Sequence, residues 1–326
     1  MINHGNRSIE ATFESSRFKK IELANIETLC GENVLILIGN GFDIMHGAKS
    51  GYSDFRDSMD ETDALRWALE CSILGDNLWS DFEASLANID AEGLLSTVDF
   101  WMDDFDVKDS DDSNFSAANF FAAQDAAVTP ARIISDELHI KFRNWVNRLR
   151  TNCDERPLTS ILSPRSQYIN FNYTEFLESL HGIPSRRICY IHGDRRKKHQ
   201  ELILGHAHDE TSQTDHFEGK GHYGAYCGAL LHLNDYFDST TKQSHRIIKS
   251  QKPFFSSLGK ITDILVIGHS MSAVDYSYFR AIISNNNSPK QLKWKISWHT
   301  TMDINRIEKF ATSIELLHSQ IEIFKL

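Results

Sequence analysis

The apolar run NVLILI at residues 33–38 is the feature that most restricts what this chain can fold into. A run of this length, bounded by polar residues and glycine, is typical of a strand buried on both faces, as in a parallel sheet. Similar runs lie at 167–171, 188–191, 202–204, 263–267, 293–298 and 321–324. Helix-like stretches lie between several of them, at 174–180, 274–283 and 304–317. Strands that alternate with helices predict an α/β fold with a Rossmann-like parallel sheet.

Residues 52–159 differ from the rest of the chain. Their apolar residues have helical spacing, and no glycine occurs between Gly93 and Gly182. We therefore expect a large helical insertion after the first strand. The predicted division is an N-terminal helix (residues 7–30) with the first strand and its glycine turn in 1–51, the insertion in 52–159, and the remainder of the α/β domain in 160–326. Within the insertion, residues 99–112 carry seven Asp and one Lys, which predicts an exposed acidic loop.

Composition excludes several classes of protein. With 41% hydrophobic residues in 326, the chain is typical of a packed globular protein and not of a disordered or fibrous one. The longest apolar run is far shorter than the ~20 residues of a membrane span, and residues 1–15 lack an apolar signal-peptide core. Five cysteines without a CxxC pair favour reduced thiols, so we expect a cytoplasmic protein with no membrane partner. A formal net charge of -11 disfavours a simple duplex-DNA coat.

Glycines are concentrated where the predicted strands end. Residues 39–43 (GNGFD) follow the first strand, and Gly193, Gly205 and Gly268 each adjoin a histidine at the end of a later run. In an open α/β sheet ligands bind beyond the carboxyl ends of the strands, so these turns predict a single crevice. A glycine turn that leads into a helix is also a phosphate-binding geometry. The motif is not the dehydrogenase GxGxxG, because Ile44 occupies the third glycine position.

The chain resembles the AbiH family of bacteriophage abortive-infection proteins. The segments that carry the resemblance are 37–43 (LIGNGFD), 46–47 (HG), 52–55 (YSDF), 79–83 (WSDFE), 170–174 (NFNYT), 190–193 (YIHG), 204–206 (LGH), and 267–270 (IGHS) with 274–276 (VDY). They extend from residue 34 to about 285, so the resemblance covers most of the chain.

A more distant resemblance is to the sirtuin-like domains of bacterial defence proteins, which bind NAD and in several cases hydrolyse it. It rests on the glycine turn, the Asn-Tyr-Thr segment, His-Gly, and Gly-x-Ser with a following Asp. This resemblance implies that Asn172 positions the ribose and water, that His192 is the base, and that NAD is the substrate or ligand. The cofactor-binding residues implied are Gly39, Asn40, Gly41, Phe42, Gly193, Gly268, His269, Ser270 and Asp275. We add Asp43 to the catalytic set and Glu83 and His206 as accessory residues.

The residue types suit cleavage of a nicotinamide–ribose bond. A histidine near its ordinary pKa of ~6.5 can accept a proton, and an asparagine offers a donor and an acceptor without charge. Asp43 departs from the sirtuin pattern, because a carboxylate repels a pyrophosphate. Asp43 therefore bonds ribose hydroxyls, or caps the following helix, or the ligand is not a dinucleotide.

Simpler interpretations stand beside these roles. His192 can be an ordinary strand-end histidine, Asn172 a cap for the helix at 174–180, and Glu83 a solvated helix carboxylate. A metal site would use the histidines and aspartates at 192–194 and 206–209. Residues 268–272 (GHSMS) do not match the GxSxG nucleophile elbow, so Ser270 fits a ligand-binding or helix-capping hydroxyl better.

A basic loop at 186–198 carries a net charge of +5 around His192. It is either a solvated loop or a patch that attracts the phosphates of a nucleotide or of a nucleic-acid or phage trigger. The expected function is an antiphage effector that hydrolyses NAD or a related nucleotide, held inactive by a partner protein or homo-oligomer. The alternatives are a non-catalytic nucleotide-binding sensor of a defence complex and a metal-dependent nuclease or phosphoesterase.

Overall fold

A computed structural model describes residues 18–26, 31–104, 116–150, 157–207 and 223–326. The strands in these ranges are β1 (Lys19–Lys20), β2 (Val34–Ile38), β3 (Gln167–Asn170), β4 (Ile188–Tyr190), β5 (His206–Ala207), β6 (Thr241–Lys242), β7 (Asp263–Ile267), β8 (Lys293–Trp298) and β9 (Ile321–Lys325). Seven of them form one parallel sheet in the order β1-β9-β8-β7-β2-β3-β4, while β5 and β6 form a separate parallel pair. The predicted α/β class is confirmed.

β2 is an interior strand between β7 and β3 and is buried on both faces. Its side chains alternate between two hydrophobic cores, with Leu35 and Leu37 in one and Ile36 and Ile38 in the other. This two-sided burial explains why the strand is continuously apolar. Ile38 is in register with Asn170 of β3 and Ile267 of β7, so these three strands end at the same level.

Most of the helices between β2 and β3 pack on one another. In chain order the helices of the described residues are α1 (Asn40–Met45), α2 (Tyr52–Asp57), α3 (Ala64–Ser72), α4 (Phe82–Ser85), α5 (Ala91–Asp104), α6 (Ala117–Arg148), α7 (Phe176–Ser179), α8 (Tyr223–Thr240), α9 (Ser244–Ser250), α10 (Lys252–Ser256), α11 (Tyr276–Ser284) and α12 (Thr301–Ser313). Side chains of α2–α6 share a third hydrophobic core, which α8 joins through Ala229, Leu233 and Tyr236. This helical layer lies over one end of the sheet and encloses the cavity described below.

Three local predictions need correction. The predicted helix at 7–30 is wrong over its described part, because Lys19 and Lys20 pair with edge strand β9 and a single 3-10 turn follows. The predicted strand at 202–204 is absent, since Leu202 and Leu204 instead pack into the helical core. Residues 99–104 of the predicted acidic loop are the end of α5, and residues 105–112 lie outside the described ranges.

None of the helices in the described ranges combines the length and apolar character that a membrane span requires. The cysteines in those ranges, Cys71, Cys189 and Cys227, are free thiols.

Candidate functional site

A cavity of about 700 Å³ lies at the carboxyl edge of the sheet. Its floor is formed by residues that follow β2, β3, β4 and β7, and residues at the end of β8 and the start of α12 form one side. The helical layer covers the other side with aromatic residues, among them Trp79, Phe82, Phe142 and Trp145. A largely apolar cavity with a few convergent polar groups is the usual form of a small-molecule site.

The glycines at the edge of the floor allow two turns to pack backbone against backbone. A Cβ atom on Gly39 would lie 2.5 Å from the Cα of His269, and one on Gly268 would lie 2.4 Å from the backbone nitrogen of Phe42. Gly268 also has a φ of +63°, which glycine adopts most readily. The backbone N–H groups of Gly39, Gly41 and Phe42 donate to carbonyl oxygens of Ile267, Gly268 and Gly39. Those three donors are therefore not free to bind a phosphate in this conformation.

Asp43 is a buried carboxyl group at the cavity floor. Its Oδ1 accepts a hydrogen bond from Asn172 Nδ2 at 2.6 Å, and its Oδ2 accepts one from Thr174 Oγ1 at 2.5 Å. Asn172 Nδ2 also donates to the carbonyl oxygen of Gly39 at 3.0 Å, so both amide hydrogens of Asn172 are engaged. Burial raises the pKa of Asp43 to about 7, although the bonds from Thr174 and Asn172 act in the opposite direction. This carboxyl group can therefore exchange a proton near neutral pH.

His192 belongs to a buried charged cluster under the cavity. Its Nδ1 donates to the carbonyl oxygen of Phe171 at 3.1 Å, and its Nε2 lies 3.3 Å from Asp275 Oδ1 and 3.4 Å from Lys242 Nζ. Lys242 Nζ also pairs with Glu83 Oε2 at 2.9 Å and Asp275 Oδ1 at 3.0 Å. Both ring nitrogens of His192 thus have partners within the protein.

The ammonium of Lys242 determines the charge state of this cluster. Burial alone would lower the pKa of Lys242, but the carboxylates of Asp275 and Glu83 raise it above its ordinary value. Burial would likewise raise the pKa of Asp275, but Lys242 and His192 outweigh it and hold that pKa well below the ordinary range. His269 completes the cluster, with its Nε2 3.3 Å from Asp275 Oδ2 and its Nδ1 accepting from the backbone of Met271. Asp275 is therefore ionised at neutral pH.

The family model of bacteriophage abortive infection AbiH matches residues 35–298, most of the chain. The chain belongs to the AbiH family. The matched region begins in β2 and ends with β8, so it includes both the floor of the cavity and the helical layer. The family description connects the chain with phage abortive infection, a form of antiviral defence. No curated protein and no solved structure matches the chain.

Most of the residues singled out in this AbiH sequence meet at the cavity. Those that line it are Gly39, Asn40, Gly41, Asp43, Glu83, Asn172, His192, Gly268, His269, Ser270 and Asp275. Three others lie elsewhere. Phe42 packs into the core under β2. Gly193 adopts a φ of +98° in a turn against Glu201, and His206 bonds Thr241 Oγ1 on the neighbouring two-stranded sheet.

Lys242 is the central residue that sequence reasoning misses. It lies in no motif, and it reaches the site because β6 follows the 18-residue helix α8 and pairs with β5. A lysine is seldom fully buried unless it is paired, so its role becomes visible only when Asp275 and Glu83 are seen beside it.

Half of the cations in the basic loop are already paired. Arg187 pairs with Glu32, Arg195 with Glu175, and Arg196 with both Glu178 and Asp194. Arg195 also donates to carbonyl oxygens at the end of α6, which ties this loop to the helical layer. The free positive charge of the loop is consequently smaller than the sequence suggests.

The residues considered for a metal site are spread apart. Asp194 bonds Arg196, His206 bonds Thr241, and residues 208–209 lie outside the described ranges. Within those ranges no three His, Cys, Asp or Glu side chains are placed to hold a metal ion.

Proposed function

We propose that this chain is an abortive-infection effector that binds NAD, or a related nucleotide, in the cavity and hydrolyses the bond between nicotinamide and ribose. The observation that carries the proposal is the meeting of Asp43, Asn172 and His192 in one cavity at the carboxyl edge of a parallel sheet. Counted from β2, the strands β4-β3-β2-β7-β8-β9 have the order 3-2-1-4-5-6, that of doubly wound dinucleotide-binding sheets. This order supports a Rossmann-like, sirtuin-like interpretation with a helical insertion after the first of these strands.

The acidic floor of the cavity suits the charge that develops in this reaction. The nicotinamide ring of NAD is a cation, and breaking its bond to ribose passes positive charge to the sugar as an oxocarbenium-like state. Glu83 and Asp275 together outnumber the single buried ammonium of Lys242, and the ionised form of Asp43 adds a further negative charge. Fixed negative groups in a site that excludes water stabilise such a state without reorganising during the reaction.

The hydrolytic step uses the Asp43 carboxylate as the base. A water oxygen bonds to C1′ of the ribose while the C1′–nitrogen bond breaks, and the electron pair of that bond stays on the ring so that nicotinamide leaves neutral. The proton lost by the water passes to Asp43. A pKa of about 7 places this base near the value that general-base catalysis favours at neutral pH.

Asn172 and His192 position this base and the floor around it. Asn172 orients the Asp43 carboxyl through Nδ2, and its own carbonyl oxygen makes no hydrogen bond among the described residues, which leaves it for a ribose hydroxyl or the water. His192 connects the Phe171 carbonyl at the end of β3 to Asp275 and Lys242. We therefore assign His192 a positioning role, because its Nε2 faces the buried ion pair.

The test is nicotinamide release from NAD by the purified protein, with Asp43→Asn, Asn172→Ala and His192→Ala as variants. Asp125→Asn is the matched control, because Asp125 is exposed on α6 and does not line the cavity. We expect loss of about 10²–10⁴-fold in kcat/KM for Asp43→Asn, and a wild-type kcat/KM that rises with pH through about 7. No release by wild type under conditions that include phage lysate would refute hydrolysis, and NAD binding without release would establish the sensor alternative.

A further inference from the structure

The phosphate groups of a nucleotide need a partner that the glycine turn does not offer. Three backbone N–H groups of that turn already donate to protein carbonyls, and Asp43 adds a carboxyl group beside it. Its helix α1 has only six residues. A phosphate placed there would find few free donors and a nearby carboxylate, so the anionic part of the ligand belongs elsewhere in the cavity.

Arg306 is the sole lysine or arginine among the described residues that line the cavity. It projects from the second turn of α12, the helix that follows β8. Its side chain is 31% exposed, whereas those of His192 and Asp275 are 4% and 6% exposed. Arg306 therefore lies at the open edge of the cavity and the carboxylates lie at its floor.

Arg306 is only weakly paired with Asp81 in this conformation. Asp81 Oδ2 is 3.9 Å from Arg306 Nη2, too long for a hydrogen bond, and the Asp81 side chain is 38% exposed. Asp303, three residues before Arg306 on α12, is already bonded to the backbone N–H groups of His299 and Thr300. The guanidinium thus retains donors that can bind an anion in the cavity, and exposed pairs of this kind are worth little.

We propose that Arg306 binds the phosphate groups of the ligand at the open edge of the cavity, displacing Asp81, while the cationic nicotinamide–ribose end occupies the acidic floor. This inference rests on the proposed function in taking the ligand to be a nucleotide. Guanidinium is suited to the task because its planar fork of donors bonds two phosphate oxygens at once.

The test compares ligands with and without phosphate. The proteins compared are wild type, Arg306→Gln and Asp81→Asn. Calorimetry measures their dissociation constants for ADP-ribose and for nicotinamide riboside. A thermal-shift assay tests their binding of inorganic pyrophosphate. Arg132→Gln is the matched control, because Arg132 is an exposed arginine on α6 outside the cavity. Arg306→Gln is expected to weaken ADP-ribose binding about 10- to 100-fold and nicotinamide riboside binding by less than about twofold. Asp81→Asn is expected to strengthen ADP-ribose binding, since it removes the competing carboxylate.

Each result bears on one proposal. Equal weakening of both ligands by Arg306→Gln, or unchanged ADP-ribose binding, overturns the phosphate site, as does a wild type that binds neither ADP-ribose nor pyrophosphate. If wild type binds ADP-ribose through Arg306 but releases no nicotinamide from NAD, the hydrolytic function fails and the phosphate site stands. If wild type hydrolyses NAD and Arg306→Gln does so with unchanged KM and kcat, only the phosphate site fails.

Discussion

Replacing Asp43 by asparagine is expected to stabilise the protein while it removes the proposed base. The change preserves the shape of the side chain, and both of its hydrogen bonds can be kept. The oxygen of the introduced amide would accept the hydrogen bond from Asn172 Nδ2. The bond to Thr174 would reverse its direction, with the amide nitrogen donating to Thr174 Oγ1. What disappears is the cost of ionising a buried carboxyl group.

The size of that cost follows from the pKa of Asp43. In the unfolded chain the carboxyl group ionises near 3.8, and in the folded protein it ionises near 7, because burial disfavours the charged form. A difference of about three pH units corresponds to about 4 kcal/mol at 1.36 kcal/mol per unit. The folded pKa is higher than the unfolded one, so ionisation of Asp43 costs the folded state nothing below about pH 4. The free energy of unfolding then falls as the pH rises toward about 7.

Guanidinium denaturation of wild type and Asp43→Asn at a series of pH values measures this effect. We expect Asp43→Asn to be more stable at about pH 8 by about 2–4 kcal/mol, with the difference shrinking toward zero near pH 4, while Asp125→Asn shows no such trend. A difference in the free energy of unfolding that is the same at both ends of the series would show that Asp43 does not titrate as a buried acid. Asp43 could then not act as the proposed base near neutral pH.

Two further predictions concern other buried groups. Lys242→Met leaves the carboxylates of Asp275 and Glu83 without their cation, so the free energy of unfolding should fall by about 3–5 kcal/mol in chemical denaturation, and adding Asp275→Asn should recover part of the loss. His46 Nδ1 donates to a backbone carbonyl and its Nε2 lies 2.8 Å from His181 Nε2, so the two rings share one proton between them. Burial lowers the pKa of His46, so its contribution to stability should decline as the pH falls below about 6.5, opposite in sign to the contribution of Asp43. The stability of wild type relative to His46→Asn should therefore fall below that pH in chemical denaturation, and a difference that does not change with pH would contradict this.

The sequence predicts the large sheet well because its long strands carry their own signal. β2 and β7 are continuous apolar runs, and runs of that kind have few alternatives to burial between two layers. The glycine pattern alone predicts the turns after them, and the contact between the two turns requires glycine at Gly39 and Gly268. The sequence pattern favours a phosphate-binding turn, whereas in the structure these glycines allow backbone to pack on backbone. Both situations require glycine, so the sequence does not distinguish them.

The sequence does not predict the short strand β1 or the ion pairs of Lys242, and the reason is the same for both. β1 consists of Lys19 and Lys20, whose pairing depends on β9 some three hundred residues later in the chain. Lys242 is similar, because nothing near it in sequence indicates that Asp275 and Glu83 will surround it. The local sequence pattern indicates which segments are buried and where turns occur. The β1–β9 pairing and the Lys242 ion pairs depend instead on which distant residues the fold brings together.

The distribution of charge gives the cavity a direction. Asp43 and Asp275 lie at its floor, Glu83 of the helical layer joins Asp275 around the ammonium of Lys242, and its open edge holds Arg306. A ligand with a cationic ring at one end and anionic phosphates beyond the adjoining ribose is oriented by this arrangement, and NAD has that character. Loss of nicotinamide removes the cation and leaves the phosphates, so the product keeps its attraction to Arg306 but loses its attraction to the floor. On this proposal the same carboxylates that stabilise the oxocarbenium-like state also favour release of the product.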